Sequence, residues 1–240
     1  MYTGHLFNLI GKAMKRTTRS TVFGIFLLGL GSVGFLTQAK AFPLDVPREV
    51  QVLGSAAPSL NHTVLNLALI AYNHAVDFKI AHKPILTVID YSLASSKPRL
   101  WIFDLSRNRL LYNTYVAHGA NSGDLYATRF SNLGQSHESS LGTYVTGNTY
   151  YGSKGYALNL RGLEQGFNDN ALSRRVVIHG AWYVSENFAH QYGRLGRSWG
   201  CPSVSQSLAT PIINTLKDGS ILFIYYPDRQ WLSHSRYLTA

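Results

Sequence analysis

A mainly β fold, with one helix before it and another after its single cysteine, is what this 240-residue chain predicts. Three observations lead there. Residues 85–89, 100–105, 110–116, 142–146, 176–178 and 221–226 are short runs rich in branched and aromatic residues, the composition of strands. Ser106, Arg107, Asn108 and Arg109 read as a hairpin turn between the second run and the third. Helical periodicity is confined to two stretches. In residues 60–80 it runs through Val64, Ala68, Ala71, Ala75 and Phe78, with Ser59 placed to cap the start; the other stretch is residues 204–216, ending near Gly219.

The remaining segments are read in order. Lys12, Lys15, Arg16 and Arg19 form a basic stretch without acidic residues, and an apolar run of about 15 residues follows, shorter than the ~20 a spanning helix needs. Ala39, Lys40 and Ala41 supply small residues in an A-x-A pattern, so residues 1–41 are expected to be a secretory signal peptide and the mature protein a resident of the periplasm or cell envelope. Residues 42–59, with Pro43, Pro47, Gly54 and Pro58, read as an irregular lead-in. The lead-in and first helix are assigned to residues 42–84 and the main domain to residues 85–240. Residues 119–140, rich in Gly, Ser and Asn, read as a long loop.

Composition narrows the function. With 45% hydrophobic and 12% aromatic residues the chain buries a real core, and one cysteine excludes a disulfide scaffold. Five of the net +10 charges lie in residues 1–41, so the remainder carries only +5, a balance that suits an anionic cell-wall polymer and does not call for nucleic acid.

The chemistry concentrates between residues 178 and 203. A buried strand runs into His179 and Gly180, and Arg197, Ser198, Trp199, Gly200, Cys201 and Pro202 follow. A thiol nucleophile needs a base or cation beside it, and a histidine on a rigid strand end is a common means, so Cys201 and His179 fit those roles. Gly200 lets the backbone approach a substrate carbonyl, and the amides of Gly200 and Cys201 are candidates for an oxyanion hole. The bland alternative is a free cysteine that merely packs. Tyr150, Tyr151, Tyr156, Trp182 and Tyr183 read equally well as a substrate groove or as core.

A strand ending in His-Gly, then a loop, then Ser-x-Gly-Cys, resembles the catalytic motif of the L,D-transpeptidases, the YkuD-like enzymes that cross-link peptidoglycan. The resemblance covers about residues 85–226 and includes the hairpin of residues 99–119, the Ser140-Leu141-Gly142-Thr143-Tyr144 stretch and the helix and strand after the cysteine. It implies an L,D-transpeptidase-like β-sandwich or barrel. Cys201 would be the nucleophile, His179 the base, and the Gly180 carbonyl the group that orients the imidazole. Peptidoglycan stem peptides would be the substrate, with no cofactor and no metal. Thiolate attack on the third, diamino acid residue of a tetrapeptide would release D-alanine and leave a thioester. An acceptor amine, on a second stem or a protein, would resolve it; water instead would make an L,D-carboxypeptidase.

Two departures mark a divergent branch with its own Arg-Ser-x-Gly-Cys-Pro signature. Trp199 stands where the family has histidine, and Pro202 and Ser203 where it has an apolar residue and then Arg or Asn. Substrate contacts are therefore expected from Arg197, Ser198, Trp199, Tyr183 and His118, with Arg197, Arg194 or Arg161 as the guanidinium for a stem carboxylate. Three other readings compete. His118, Asp124, His137 and His179 could be assembled as zinc ligands with Glu138 or Glu164 as base, yet no His-Glu-x-x-His or other tight spacing occurs. A non-catalytic peptidoglycan-binding module would not require both Cys201 and His179. A papain-like peptidase would place its cysteine before its histidine.

Overall fold

The computed structural model describes residues 39–239, so the expected signal peptide lies almost wholly outside the described residues. In chain order the elements are α1 (Val46–Ala56), α2 (His62–Asp77), β1 (Ile85–Asp90), β2 (Leu100–Asp104), β3 (Arg109–Thr114), β4 (Gly142–Gly152), β5 (Gly155–Gly162), β6 (Val177–Ala181), α3 (Glu186–Tyr192), β7 (Ser203–Ser205), α4 (Gln206–Leu216), β8 (Ile221–Tyr225) and α5 (Arg229–His234). A short 3-10 turn, Ala120–Ser122, interrupts the long loop after β3. The protein is mainly β, as its sequence predicts.

The strands form one mixed sheet in the order β3-β2-β1-β8-β4-β5-β6-β7. β1 is a central strand, antiparallel to β2 and parallel to β8, and is buried along its whole length. The sheet curls until its ends nearly meet: beyond β3 the chain continues to Ala117, whose N–H donates to Ser203 O at 2.9 Å on β7. A second bridge joins Gly119 to Ser198. The closing seam is therefore built from the segment that carries the cysteine.

The lead-in differs from its expected irregular form. Residues 46–56 are helical because Asp45 caps the first turn, accepting from Arg48 N–H, and Pro47 sits in that turn, where its missing N–H leaves no bond unmade. The second helix starts later than the periodicity suggests, since Asn61 rather than Ser59 is the cap, accepting from Thr63 N–H at 2.8 Å. Leu53, Leu60, Leu65 and Tyr72 of this region join Leu86, Phe103, Leu160, Ile213 and Phe223 in one core. β5 escapes detection because Gly-Tyr-Ala-Leu-Asn-Leu-Arg-Gly contains no β-branched residue; its hairpin with β4 turns at Ser153 and Lys154, and Gly155 takes φ +77°.

Among the described residues no helix is long and apolar enough to cross a membrane.

Candidate functional site

His179 sits mid-strand on β6, with β5 on one side (Ala157) and β7 on the other (Ser203). Its Nδ1 lies 3.0 Å from Gly180 O. A carbonyl only accepts, so Nδ1 carries the proton, and the neutral ring offers Nε2 as its acceptor. That nitrogen is already engaged: the Ser203 hydroxyl donates to it at 2.9 Å. Burial holds the His179 pKa below the ordinary imidazole range, opposed by the Gly180 bond and aided by the nearby Lys154 charge.

Cys201 is half-buried, and its thiol points to Arg175 O at 3.7 Å. Burial pushes the thiol pKa up, against a bond from the Val177 backbone and the positive charges of Arg174 and Lys154. Both shifts favour the neutral forms, a thiol and an imidazole, over a thiolate and an imidazolium. The resting site therefore holds its proton on sulfur.

A cage of short polar side chains fixes the cysteine loop. Ser198 Oγ donates to Cys201 O at 2.6 Å and accepts from Gly200 N–H at 3.1 Å. Gly200 O accepts from Ser139 Oγ at 3.3 Å, and Ser139 N–H donates to Ser122 Oγ at 2.9 Å. Arg174, half-buried, straps the same loop: it donates to Glu138 O at 2.6 Å and to Ser131 O. Gly200 has φ +112°, and a Cβ there would meet Glu138 O at 2.7 Å. Gly200→Ala is therefore expected to cost roughly 2 kcal/mol or more, read as a lower urea midpoint with an unchanged m-value.

The residues singled out from the sequence are placed as follows. Arg197 reaches Asp124 at 2.5 Å and Gly123 O at 3.3 Å, and Arg194 lies 3.9 Å from the same carboxylate. Ser198 builds the turn around Cys201. Trp199 is 76% exposed beside the cysteine and stacks on His137, with ring centroids 4.7 Å apart. Tyr183 packs on Gly196 and turns its phenol toward Ser203. The Gly200 N–H is taken by Ser198, whereas the Cys201 N–H donates to no group among the described residues.

His118 does not face the cleft. It is fully buried, its Nε2–H donating to Gly123 O at 3.2 Å and its Nδ1 accepting from Arg99 Nη2 at 2.7 Å. Both nitrogens are used inside the protein, so a substrate contact from His118 is replaced by a role in holding the chain near the closing seam. Burial and the Arg99 charge push its pKa down to about 4. Glu164 is likewise committed, accepting from Thr143 N–H at 2.6 Å and from Trp231 Nε1–H at 2.8 Å. Among the described residues no three His, Cys, Asp or Glu side chains gather as metal ligands would.

Three participants escape the sequence. Ser203 stood out only as a departure from the family motif, although it lies two residues beyond Cys201. Arg174 lies in a stretch that the sequence reading left unassigned. Arg99 gave no signal at all, since nothing local marks an arginine as buried.

Residues 56–225 match the family model described as the L,D-transpeptidase catalytic domain. The comparison with curated proteins finds no match. Among solved structures, the chain is similar to an L,D-transpeptidase from Mycobacterium smegmatis at 14% identity, over 60% of this chain and 59% of that one, with a TM-score of 0.36. L,D-transpeptidase 3 from Mycobacterium tuberculosis is similar at 14% identity, over 60% and 61%, with a TM-score of 0.35. An L,D-transpeptidase from Stackebrandtia nassauensis is similar at 13% identity, over 80% and 96%, with a TM-score of 0.36. The chain thus spans about three fifths of the mycobacterial structures it matches. With the family model matching well over half of its length, and the segment from the His179 strand to the Cys201 loop inside that match, the chain belongs to the L,D-transpeptidase catalytic domain family.

Proposed function

We propose that this protein is a cysteine-dependent L,D-transpeptidase acting on peptidoglycan stem peptides. The observation that carries the reading is the Cys201 loop, pinned by Ser198 and Ser139 against the start of β6, the strand on which His179 presents a neutral imidazole.

In the first half-reaction the Cys201 sulfur bonds to the carbonyl carbon of the third residue of a tetrapeptide stem, and the thiol proton passes to His179. The Cys201 N–H is the available donor for the oxyanion, with the Gly200 N–H joining if Ser198 releases it. The imidazolium then protonates the departing D-alanine amine as the peptide C–N bond breaks, leaving a thioester. An acceptor amine attacks the thioester, gives up its proton to His179, and frees the thiol. The N-terminal order of basic, apolar and small residues supports export, with the work done in the periplasm or cell envelope.

Intact-protein mass spectrometry tests the reading. The full chain incubated with a disaccharide-tetrapeptide is expected to release D-alanine and to carry an acyl adduct on Cys201, as it would with a carbapenem. Both signals should vanish in Cys201→Ala. Persistent D-alanine release from that variant sinks the proposal, and folded wild-type protein giving neither signal points to a wall-binding module. A tripeptide as the sole product would make the same site an L,D-carboxypeptidase.

A further inference from the structure

Trp182, Phe188 and Tyr192 form an aromatic strip on the surface beyond the end of β6. Trp182, in the turn after the strand, is 71% exposed, and Tyr192, the last residue of α3, is 57% exposed. The rings make one row. Tyr183 meets Trp182 edge-on with centroids 5.8 Å apart, Trp182 meets Phe188 edge-on at 5.7 Å, and Phe188 meets Tyr192 at 4.4 Å. The row begins at the cysteine, because Tyr183 packs on Gly196 and turns its phenol toward Ser203, near enough to feel a charge on Cys201. The stacked pair Tyr151 and Tyr156 does not continue it. Tyr156 donates its hydroxyl to Asn214 of α4, the helix that covers the Gly180 side of β6, opposite to the His179 side.

The margin of the strip is polar. Phe188 and Tyr192 are four residues apart on α3 and share a side of it, while Gln191, three residues from Phe188, and Asn187, four from Gln191, line the adjoining exposed side. Neither side-chain amide, nor the Trp182 indole N–H, bonds to a group among the described residues. Residues 182–193 contain Glu186 and no Lys or Arg, so the strip has no charge to offer an anionic lipid surface. Open aromatic faces bordered by free amides suit a chain of pyranose rings: the C–H faces of the sugars lie on the aromatic rings, and their hydroxyl and acetamido groups reach the amides. Each step along the row is close to the length of one pyranose residue.

We infer that the strip from Trp182 to Tyr192 binds the glycan chain of peptidoglycan, a β-1,4-linked run of N-acetylated amino sugars. Its register rests on the reaction proposed above. With the carbonyl of the third stem residue at Cys201, three residues of peptide, about 10 Å when extended, separate that carbonyl from the sugar that bears the stem. Trp182 lies three residues beyond His179 along β6 and its turn, also about 10 Å. The stem then passes over Tyr183 and delivers its sugar to Trp182, and neighbouring sugars cover Phe188 and Tyr192.

Titration calorimetry of the full chain with chitotetraose, a peptide-free β-1,4 chain of N-acetylglucosamine, tests the strip without requiring turnover. Binding should be saturable and at least tenfold weaker in Trp182→Ala and in Tyr192→Ala, with Trp182→Phe recovering part of the loss and Cys201→Ala binding as wild type. Turnover supplies a second readout. Wild type should favour a disaccharide-tetrapeptide over the sugar-free tetrapeptide at least tenfold in kcat/KM for D-alanine release, and Trp182→Ala should erase that preference, a change that general loss of structure would not produce. Absence of saturable binding, binding indifferent to both alanine substitutions, or self-association of the chain that Trp182→Ala abolishes overturns the glycan assignment. The two proposals fail separately. A chain that binds chitotetraose through Trp182 but releases no D-alanine keeps the strip and loses the transpeptidase reading. D-alanine release with the same preference in Trp182→Ala keeps the enzyme and loses the strip.

Discussion

Arg99→Met is expected to destabilise the protein by on the order of 3–5 kcal/mol, measured by urea unfolding at pH 7. Arg99 is fully buried without a carboxylate against it, and burial lowers even its pKa, to about 10. Its fork is spent on the chain itself: Nε and Nη2 donate to Val116 O at 3.1 and 3.0 Å, and Nη1 donates to Leu93 O at 2.7 Å. The guanidinium lies over the Tyr91 ring, 4.8 Å from its centroid, and the Tyr91 hydroxyl donates to Ala117 O at 3.1 Å. Methionine fills the volume but leaves two buried carbonyls and the His118 Nδ1 without donors, and each orphan costs about 1–3 kcal/mol.

The same contact makes stability depend on pH with a definite sign. The unfolded histidine takes up its proton near 6.5, while folded His118 waits until about 4, because burial penalises the charged ring and protonation would also remove the lone pair that Arg99 donates to and set two cations side by side. The contribution is complete above pH 6.5 and is lost as pH falls toward 4, on the order of 3 kcal/mol in all. In His118→Gln the slope of unfolding free energy between pH 7 and pH 4 should flatten accordingly, and a slope as steep as wild type would contradict the assignment.

His179→Gln is expected to lower the rate of D-alanine release by about 10²- to 10⁴-fold while leaving the thermal midpoint near that of wild type. Glutamine can still donate to Gly180 O, so that carbonyl stays satisfied, but no group remains to take a proton from sulfur. For wild type the acid limb of kcat/KM should fall below the ordinary imidazole range, because burial lowers the His179 pKa and the neutral ring is the active form. The alkaline limb is displaced upward with the thiol. Ser203→Ala should move the acid limb, since it removes the hydroxyl from Nε2. A profile unchanged by that substitution would mean that Ser203 leaves the nitrogen before chemistry begins.

Local sequence made the strands β1, β2, β3 and β8 legible because their apolar runs are continuous and their neighbours are short turns. It was silent on α1, where three prolines looked like a broken chain but one of them, Pro47, occupies the first helical turn. The motif residues Cys201 and His179 stood out from their setting, whereas their partners did not. Ser203 meets His179 only through the parallel pairing of β6 with β7, and Arg99 meets His118 across a hairpin. Such register and burial come from packing at long range, which a window of ten residues does not contain. The three candidate arginines were indistinguishable in sequence. Asp124, far from Arg194 and Arg197 along the chain, separates them from Arg161.

The seam between Ala117 and Ser203 carries a kinetic meaning. Pairings between segments this far apart in sequence bear a large loop-closure entropy, as does the still longer-range pairing of β1 with β8. Until Ser198 N–H finds His118 O and Ala117 N–H finds Ser203 O, the turn that holds Cys201 has no frame, and His179 has no hydroxyl on its Nε2. A chain still folding therefore displays an ordinary cysteine, and the caged turn around it comes into being only when this seam closes.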